Sequence, residues 1–267
     1  MKADMHVHSD VSDGSESIEN IIEQAKRKGL DAIAITDHDT LSQSRKIPEK
    51  PGIRVICGAE ISCEHRKSKT RVHLLAYNVQ KPEIIKNLTL PILEARNRNS
   101  EKQIEILRNA GYKIEKDNLK RSDGKYLYKQ HIMEWLVSTG QTDEMFGDFY
   151  QRVFKNGGVC DFDIEYADIF AAIIAVKDAG ALAVLAHPGQ QQNFWIIPEL
   201  ARLGLDGIEL NHPAHSEKDH DVIRTYASRF GLFLTGGSDF HGRYDARGSN
   251  IGDYLSEESG IEALLGC

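Results

Sequence analysis

Short apolar runs alternate with amphipathic stretches along most of the chain. Ala3–His8 reads as a strand. After it, Ile18, Ile21, Ile22 and Ala25 recur at helical spacing, which predicts a helix capped by Ser15 and ending near Gly29. Ala32–Thr36 is continuously apolar, as a parallel strand buried on both faces should be. Arg54–Ile61 and Arg71–Tyr77 predict two further strands, and the short polar link Glu64–Thr70 allows them to pair as a hairpin. From Lys81 to Cys160 no apolar strand occurs; Pro91–Gly111, Gln130–Ser138 and Asp143–Phe154 read as helices. Alternation then resumes. Strands are expected at Ala181–Ala186, Gly207–Leu210 and Leu232–Gly236, with helices from Ile169 to Gly180, over Ile196–Leu203 and over Glu217–Phe230. About seven strands separated mostly by helices predict an α/β fold, a β/α barrel or barrel-like sheet. The catalytic domain is expected over 1–80 and 161–267, with a small helical insertion over 81–160.

Composition narrows the class. The chain has 267 residues, 40% hydrophobic and 27% charged, the mix of a globular protein with a sizeable core. Its net charge of −7 argues against a long nucleic acid as partner, which calls for a basic footprint. Cys57, Cys63, Cys160 and Cys267 contain no CxxC pair, so a thiolate zinc site is not expected and reduced thiols are. The first His pair begins at residue 6, leaving no room for a signal peptide, and no apolar stretch approaches the ~18 residues of a membrane helix. A cytoplasmic location and no membrane association are the expectation.

The chemistry sits where the apolar runs end. His6 and His8 lie two apart on an extended segment, so both side chains share one face and can share a metal. Asp13-Gly14 follows. Asp37-His38-Asp39 directly succeeds a buried strand; capping accounts for an Asp but not for His38, and Asp37 can orient a ligand. Glu60 ends a run of small and apolar residues, where a carboxylate needs a partner that a bridging position between metals would supply. His73, His187 and the pair Asp239 and His241 complete a set of six histidines and three carboxylates. Nine ligands exceed the needs of one ion, so two or three divalent cations are expected. The apolar periodicity is independent of these polar residues, yet it places them at strand ends, where such barrels carry their sites.

The motifs Asp4-Met5-His6-Val7-His8, Thr36-Asp37-His38-Asp39, Gly58-Ala59-Glu60-Ile61-Ser62, Ala186-His187-Pro188-Gly189 and Gly237-Ser238-Asp239-Phe240-His241-Gly242 together resemble the PHP (polymerase and histidinol phosphatase) family. The resemblance spans residues 4 to 242 and implies a distorted seven-stranded barrel. It implies one metal on His6, His8, Glu60 and Asp239, a second on Glu60, His73 and His187, and a third on Asp13, His38 and His241. Manganese, iron or zinc would serve.

Within that family the mid-chain insertion is similar to that of stand-alone phosphoesterases. Where relatives carry an Arg-x-His reaching substrate phosphate, this chain has Lys129-Gln130-His131; where they place an Arg after His-Pro-Gly, it has Gln190-Gln191. Arg96 is a further phosphate candidate, and His215-Ser216 aligns with a substrate-side pair whose histidine could protonate the leaving group. The expected reaction is hydrolysis of a small phosphate ester by a metal-bridging hydroxide, with Asp13, Glu60 and Asp239 in catalytic positions. The expected substrate is a nucleotide such as a 3′,5′-bisphosphate, or a short 5′-phosphorylated oligonucleotide. A phosphoribose cyclic phosphate and histidinol phosphate are the alternatives, and an inactive metal-binding module is disfavoured because all nine ligand positions are filled. His65, His212 and His220 are expected to have no catalytic role.

Overall fold

The computed structural model describes residues 1–266; Cys267 lies outside the described residues. The chain forms β1 (Ala3–Val7), α1 (Ile18–Arg27), β2 (Ala32–Ile35), β3 (Arg54–His65), β4 (Thr70–Tyr77), α2 (Pro82–Asn109), α3 (Lys129–Ser138), α4 (Asp148–Phe154), β5 (Ala167–Asp168), α5 (Ile169–Asp178), β6 (Leu182–Leu185), α6 (Pro188–Gln191), α7 (Ile197–Arg202), β7 (Gly207–Asn211), α8 (Glu217–Phe230), β8 (Phe233–Gly236) and α9 (Glu258–Leu265). Ile18, Ile21, Ile22 and Ala25 make the buried face of α1, as their spacing requires. Its cap is Ser17 rather than Ser15, whose hydroxyl instead accepts the Arg243 N–H at 2.9 Å.

The strands run in the order β1-β2-β3-β4-β6-β7-β8, with the short β5 added beside β3. Pairing is parallel except on both sides of β4, which is antiparallel to β3 and to β6. The ring is nearly closed between β8 and β1. There Ser238 donates its N–H and its hydroxyl to the two Asp4 carboxylate oxygens at 3.0 and 2.7 Å, and the His8 N–H reaches the Phe240 carbonyl at 2.9 Å. Ala3, Met5, Ala32, Ala34, Leu75, Val184 and Ala186 form one fully buried apolar cluster, and a second buries α5 and α7 against Ile61, Leu74, Leu185 and Ile208. The expected α/β barrel of seven strands is therefore observed.

The chain divides into two compact units: Met1–Leu90 with everything from Tyr166 onward, and Pro91–Glu165. The second unit has its own core, in which Ile104, Leu107, Leu127, Ile132, Leu136, Phe149 and Phe154 are buried. α2 begins well before Pro91 and contains it, so the helix starts earlier than the expected Pro91 boundary. Among the described residues no helix is long and apolar enough to cross a membrane. Cys57, Cys63 and Cys160 are free thiols.

Candidate metal centre

Alternation along β1 puts Asp4 and His6 on one face and Ala3 and Met5 on the other, all buried. The chain past His8 then turns back sharply at Gly14, where a Cβ would lie 2.4 Å from the His8 carbonyl oxygen. Only glycine allows that approach, and it brings Asp13 beside His8. Asp37 fixes the same loop, accepting from the Ser9 N–H at 2.8 Å, the Ser9 hydroxyl at 2.7 Å and the Ser12 hydroxyl at 2.6 Å.

Glu60 is the hub. Its Oε1 lies 2.6 Å from His73 Nδ1 and 2.8 Å from His187 Nε2. Its Oε2 lies 3.1 Å from His6 Nε2, 3.0 Å from His8 Nε2 and 3.4 Å from His38 Nε2. One carboxylate thus presents each oxygen to a different set of imidazoles, the geometry of a bridge between two cations. Asp239 Oδ1 sits 3.5 Å from His6 and 3.4 Å from His8, and Asp13 Oδ1 is 3.4 Å from His241 Nε2.

Three groups have ligand atoms within 4.8 Å of one another: His6, His8, Glu60 and Asp239; His8, Asp13, His38 and His241; and His38, Glu60 and His73. Eight of the nine expected ligands fall in these groups, and the ninth, His187, meets them through Glu60 Oε1. The grouping differs from the implied sets in three respects. His8 stands in two groups, and His38 joins Glu60 and His73, while His187 approaches through the same Glu60 oxygen as His73. The position of two ligands also differs from strand ends. Glu60 lies within β3, which continues to His65 as one arm of the hairpin. His73 lies in the first half of β4; because β4 is antiparallel, that half falls at the end of the barrel where the parallel strands finish.

The donor set calls for cations. His6 gives its Nδ1 proton to Glu209 Oε1 at 2.9 Å, so its Nε2 presents a lone pair. That lone pair faces His8 Nε2 at 3.1 Å and Glu60 Oε2 at 3.1 Å, an assembly of acceptors in a dry site. Only a proton or a metal ion resolves it. His187 Nδ1 is likewise buried without a hydrogen-bond partner. Burial would push both His6 and His8 down, but the carboxylates prevail: Asp239 and Glu60 carry His8 up to about 10, and Glu209, Glu60 and Asp239 raise His6 well above its ordinary value. Burial opposes ionisation of Glu60, Asp13 and Asp239 too, yet the surrounding imidazoles hold all three well below the usual carboxylate range. Burial takes His38 down to about 4.

A pH dependence follows. In the ion-free protein His6 and His8 hold protons at neutral pH. Their raised values mean that this protonation stabilises the ion-free fold fully below the ordinary 6.5, and that for His8 the contribution is lost as pH rises through about 10. A metal must displace these protons, so its affinity rises with pH across the neutral range. Titrating Mn²⁺ into lightly buffered ion-free protein at pH 7 should release protons, read with an indicator dye; saturation without release would show the imidazoles already neutral.

Two residues of the site escape sequence reasoning. Glu209 on β7 is buried and uses both oxygens, one on the His6 ring and the other on the His187 N–H at 2.9 Å. His212, expected to have no part, is buried beside Asp239. It accepts the Ala214 N–H at Nδ1, so its Nε2 proton points to Asp239 Oδ2 at 3.3 Å. Such outer contacts fix ligand orientation and tautomer.

The remaining candidates have local partners. His215 donates from Nδ1 to the Leu210 carbonyl at 2.7 Å and accepts the Gly189 N–H at Nε2, so its Nε2 carries no proton to give. Burial lowers its pKa further. Ser216 caps α8, in a reciprocal box with Asp219. In the second unit, His131 accepts the Tyr128 N–H at Nδ1 and meets the Ser122 hydroxyl at Nε2, closing the start of α3. Burial lowers Lys129 to about 8, and its ammonium lies 5.9 and 5.7 Å from the Tyr150 and Phe154 ring centres. The Arg96 guanidinium is 5.1 Å from the Tyr128 ring centre.

Comparison with known proteins adds the following. The PHP domain signature matches residues 4–174. The chain is 39% identical over 251 residues to a phosphoribosyl 1,2-cyclic phosphate 1,2-diphosphodiesterase of Eggerthella lenta, covering 91% of this chain and 95% of that protein. It is 27% identical to a 3′,5′-nucleoside bisphosphate phosphatase of Chromobacterium violaceum, over 89% and 86% of the two chains. A crystal structure described as a metal-dependent phosphoesterase from Bifidobacterium adolescentis superimposes with a TM-score of 0.88 at 27% identity, covering 99% of this chain and 95% of the other.

Proposed function

The chain belongs to the PHP family of metal-dependent phosphoesterases, and from that premise we propose that it opens a 1,2-cyclic phosphate on a phosphorylated ribose. The observation that carries this reading is the 39% identity to the Eggerthella diphosphodiesterase over nearly the full length of both proteins, supported by nine candidate ligands gathered around Glu60. Manganese is the proposed resident ion, with iron or zinc as substitutes, since imidazole and carboxylate donors suit all three. We propose three ions, because three groups of candidate ligands are present, with His8, His38 and Glu60 each belonging to two of them. When bound, the ions supply hydroxide at neutral pH and neutralise phosphate charge.

The protein's own part is to hold and orient. Glu60 spans two groups of imidazoles. Glu209 keeps the His6 proton on Nδ1 so that Nε2 remains a donor atom, and His212 steers Asp239. His215 acts through the loop after His187, which it grips at Gly189, rather than as the acid. The free thiols of Cys57, Cys63 and Cys160 support the cytoplasm as the place of work.

A panel tests the substrate: ribose 5-phosphate 1,2-cyclic phosphate, a 3′,5′-nucleoside bisphosphate, histidinol phosphate and a short 5′-phosphorylated RNA, each with Mn²⁺. The cyclic phosphate should show the highest kcat/KM, by at least ~10-fold. A comparable advantage for the bisphosphate would replace this reading with that of a nucleotide phosphatase.

A further inference from the structure

Two loops that carry metal-ligand candidates are joined at their far ends. Gln190 lies one helical turn beyond His187, about 5 Å along the axis, and its N–H closes that turn on the His187 carbonyl at 3.0 Å. Arg247 lies six residues beyond His241. The intervening chain is fixed: Tyr244 is buried, its N–H reaches the His241 carbonyl, and the Asp245 carboxylate accepts the N–H groups of both Arg247 and Ser249 at 2.8 Å. Arg247 Nη2 then donates to Gln190 Oε1 at 2.9 Å.

This pairing has a defined polarity. The acceptor on Arg247 is a neutral amide. The contact commits the oxygen of Gln190 to the arginine, which leaves the amide's N–H₂ hydrogens for another acceptor. Both side chains are exposed. The pair therefore presents only donors: the remaining guanidinium N–H groups and the amide N–H₂. Guanidinium forks match the oxygens of a phosphate, and here the fork is anchored at both ends to loops that hold the metal site.

We infer that Arg247 and Gln190 form a subsite for a second phosphate monoester of the substrate, the one not being hydrolysed. This rests on the phosphoribosyl reading and deepens it by naming the residues that hold the terminal phosphate of the ribose. Gln190 and Arg247 both belong to the barrel unit.

The test compares Arg247→Ala and Arg247→Lys with the parent enzyme, loaded with Mn²⁺, on ribose 5-phosphate 1,2-cyclic phosphate and on the same cyclic phosphate without the 5-phosphate. Loss of a charged hydrogen bond is worth roughly 10- to 100-fold in affinity. KM for the 5-phosphorylated compound should rise by about that factor in Arg247→Ala with kcat little changed, and Arg247→Lys should recover part of it. KM for the compound lacking the 5-phosphate should stay within about twofold. Equal changes on both compounds, or none on either, overturn the subsite. Binding of ribose 5-phosphate is measured calorimetrically on the same proteins, with inorganic phosphate as the reference ligand for the metals. If the cyclic phosphates are not turned over, the substrate reading fails. The subsite still stands if Arg247→Ala weakens ribose 5-phosphate by about tenfold and spares inorganic phosphate, and falls if both weaken alike or neither does.

Discussion

Asp239→Asn should lower kcat/KM by about a thousandfold or more while the protein stays folded. A metal ligand contributes several kcal/mol of transition-state charge stabilisation, and each 1.4 kcal/mol is about tenfold in rate. Asp239 Oδ1 faces both His6 and His8, and Oδ2 takes the His212 proton. An amide keeps the shape but loses the charge. The backbone tolerates the change: Asp239 has φ of +48°, and Asn is among the few residues that adopt such a conformation readily. Metal content and melting temperature measured together separate the effects. Full activity with full metal content would remove Asp239 from the ligand set. Glu209→Gln is the graded comparison. It leaves the ligands intact, loosens His6, and should weaken metal affinity about 10- to 100-fold.

Gly237→Ala should be among the most destabilising single substitutions in the barrel. A Cβ at Gly237 would lie 2.4 Å from both the Cβ and the backbone nitrogen of His6. The clash is with backbone, so no side-chain rotation relieves it. It falls at the seam where β8 meets β1, next to the Ser238–Asp4 staple. Overpacking of this kind costs about 3 kcal/mol, which for a chain of this size lowers Tm by roughly 6–12 °C. Because the seam carries His6, metal affinity should fall with stability. A Tm within about 2 °C of the parent would show that the strands part without cost.

The reach of the sequence was set by what periodicity and residue type can express. Apolar runs located β1, β2 and β6, and the imidazoles beside them stood out because histidine seldom ends a buried strand without a partner. Which imidazoles share a cation is a matter of angles between strands, so the double membership of His8 could not be read from spacing. Glu209 looks like an ordinary strand residue next to apolar neighbours, and His212 like an isolated histidine. Both acquire meaning only when β7 is laid beside β6 and β8. The direction of β4 was legible as a possible hairpin, but the length of its partner β3 beyond Glu60 was not, since residues 62–65 are mostly polar. The positive φ of His187, at +25° just before Pro188, is a local strain that the packed site imposes and no propensity predicts. Ser216 and His131 show the converse: the family resemblance implies substrate contacts, while capping accounts for their bonds.

The central claim is that Glu60 bridges two cations in this barrel. Crystals of the protein grown with Mn²⁺, with data collected at the manganese edge, test it directly. The account predicts at least two anomalous peaks within ~4 Å of each other, with one Glu60 oxygen on each. A single peak, or a set of peaks in which Glu60 touches none, would contradict it.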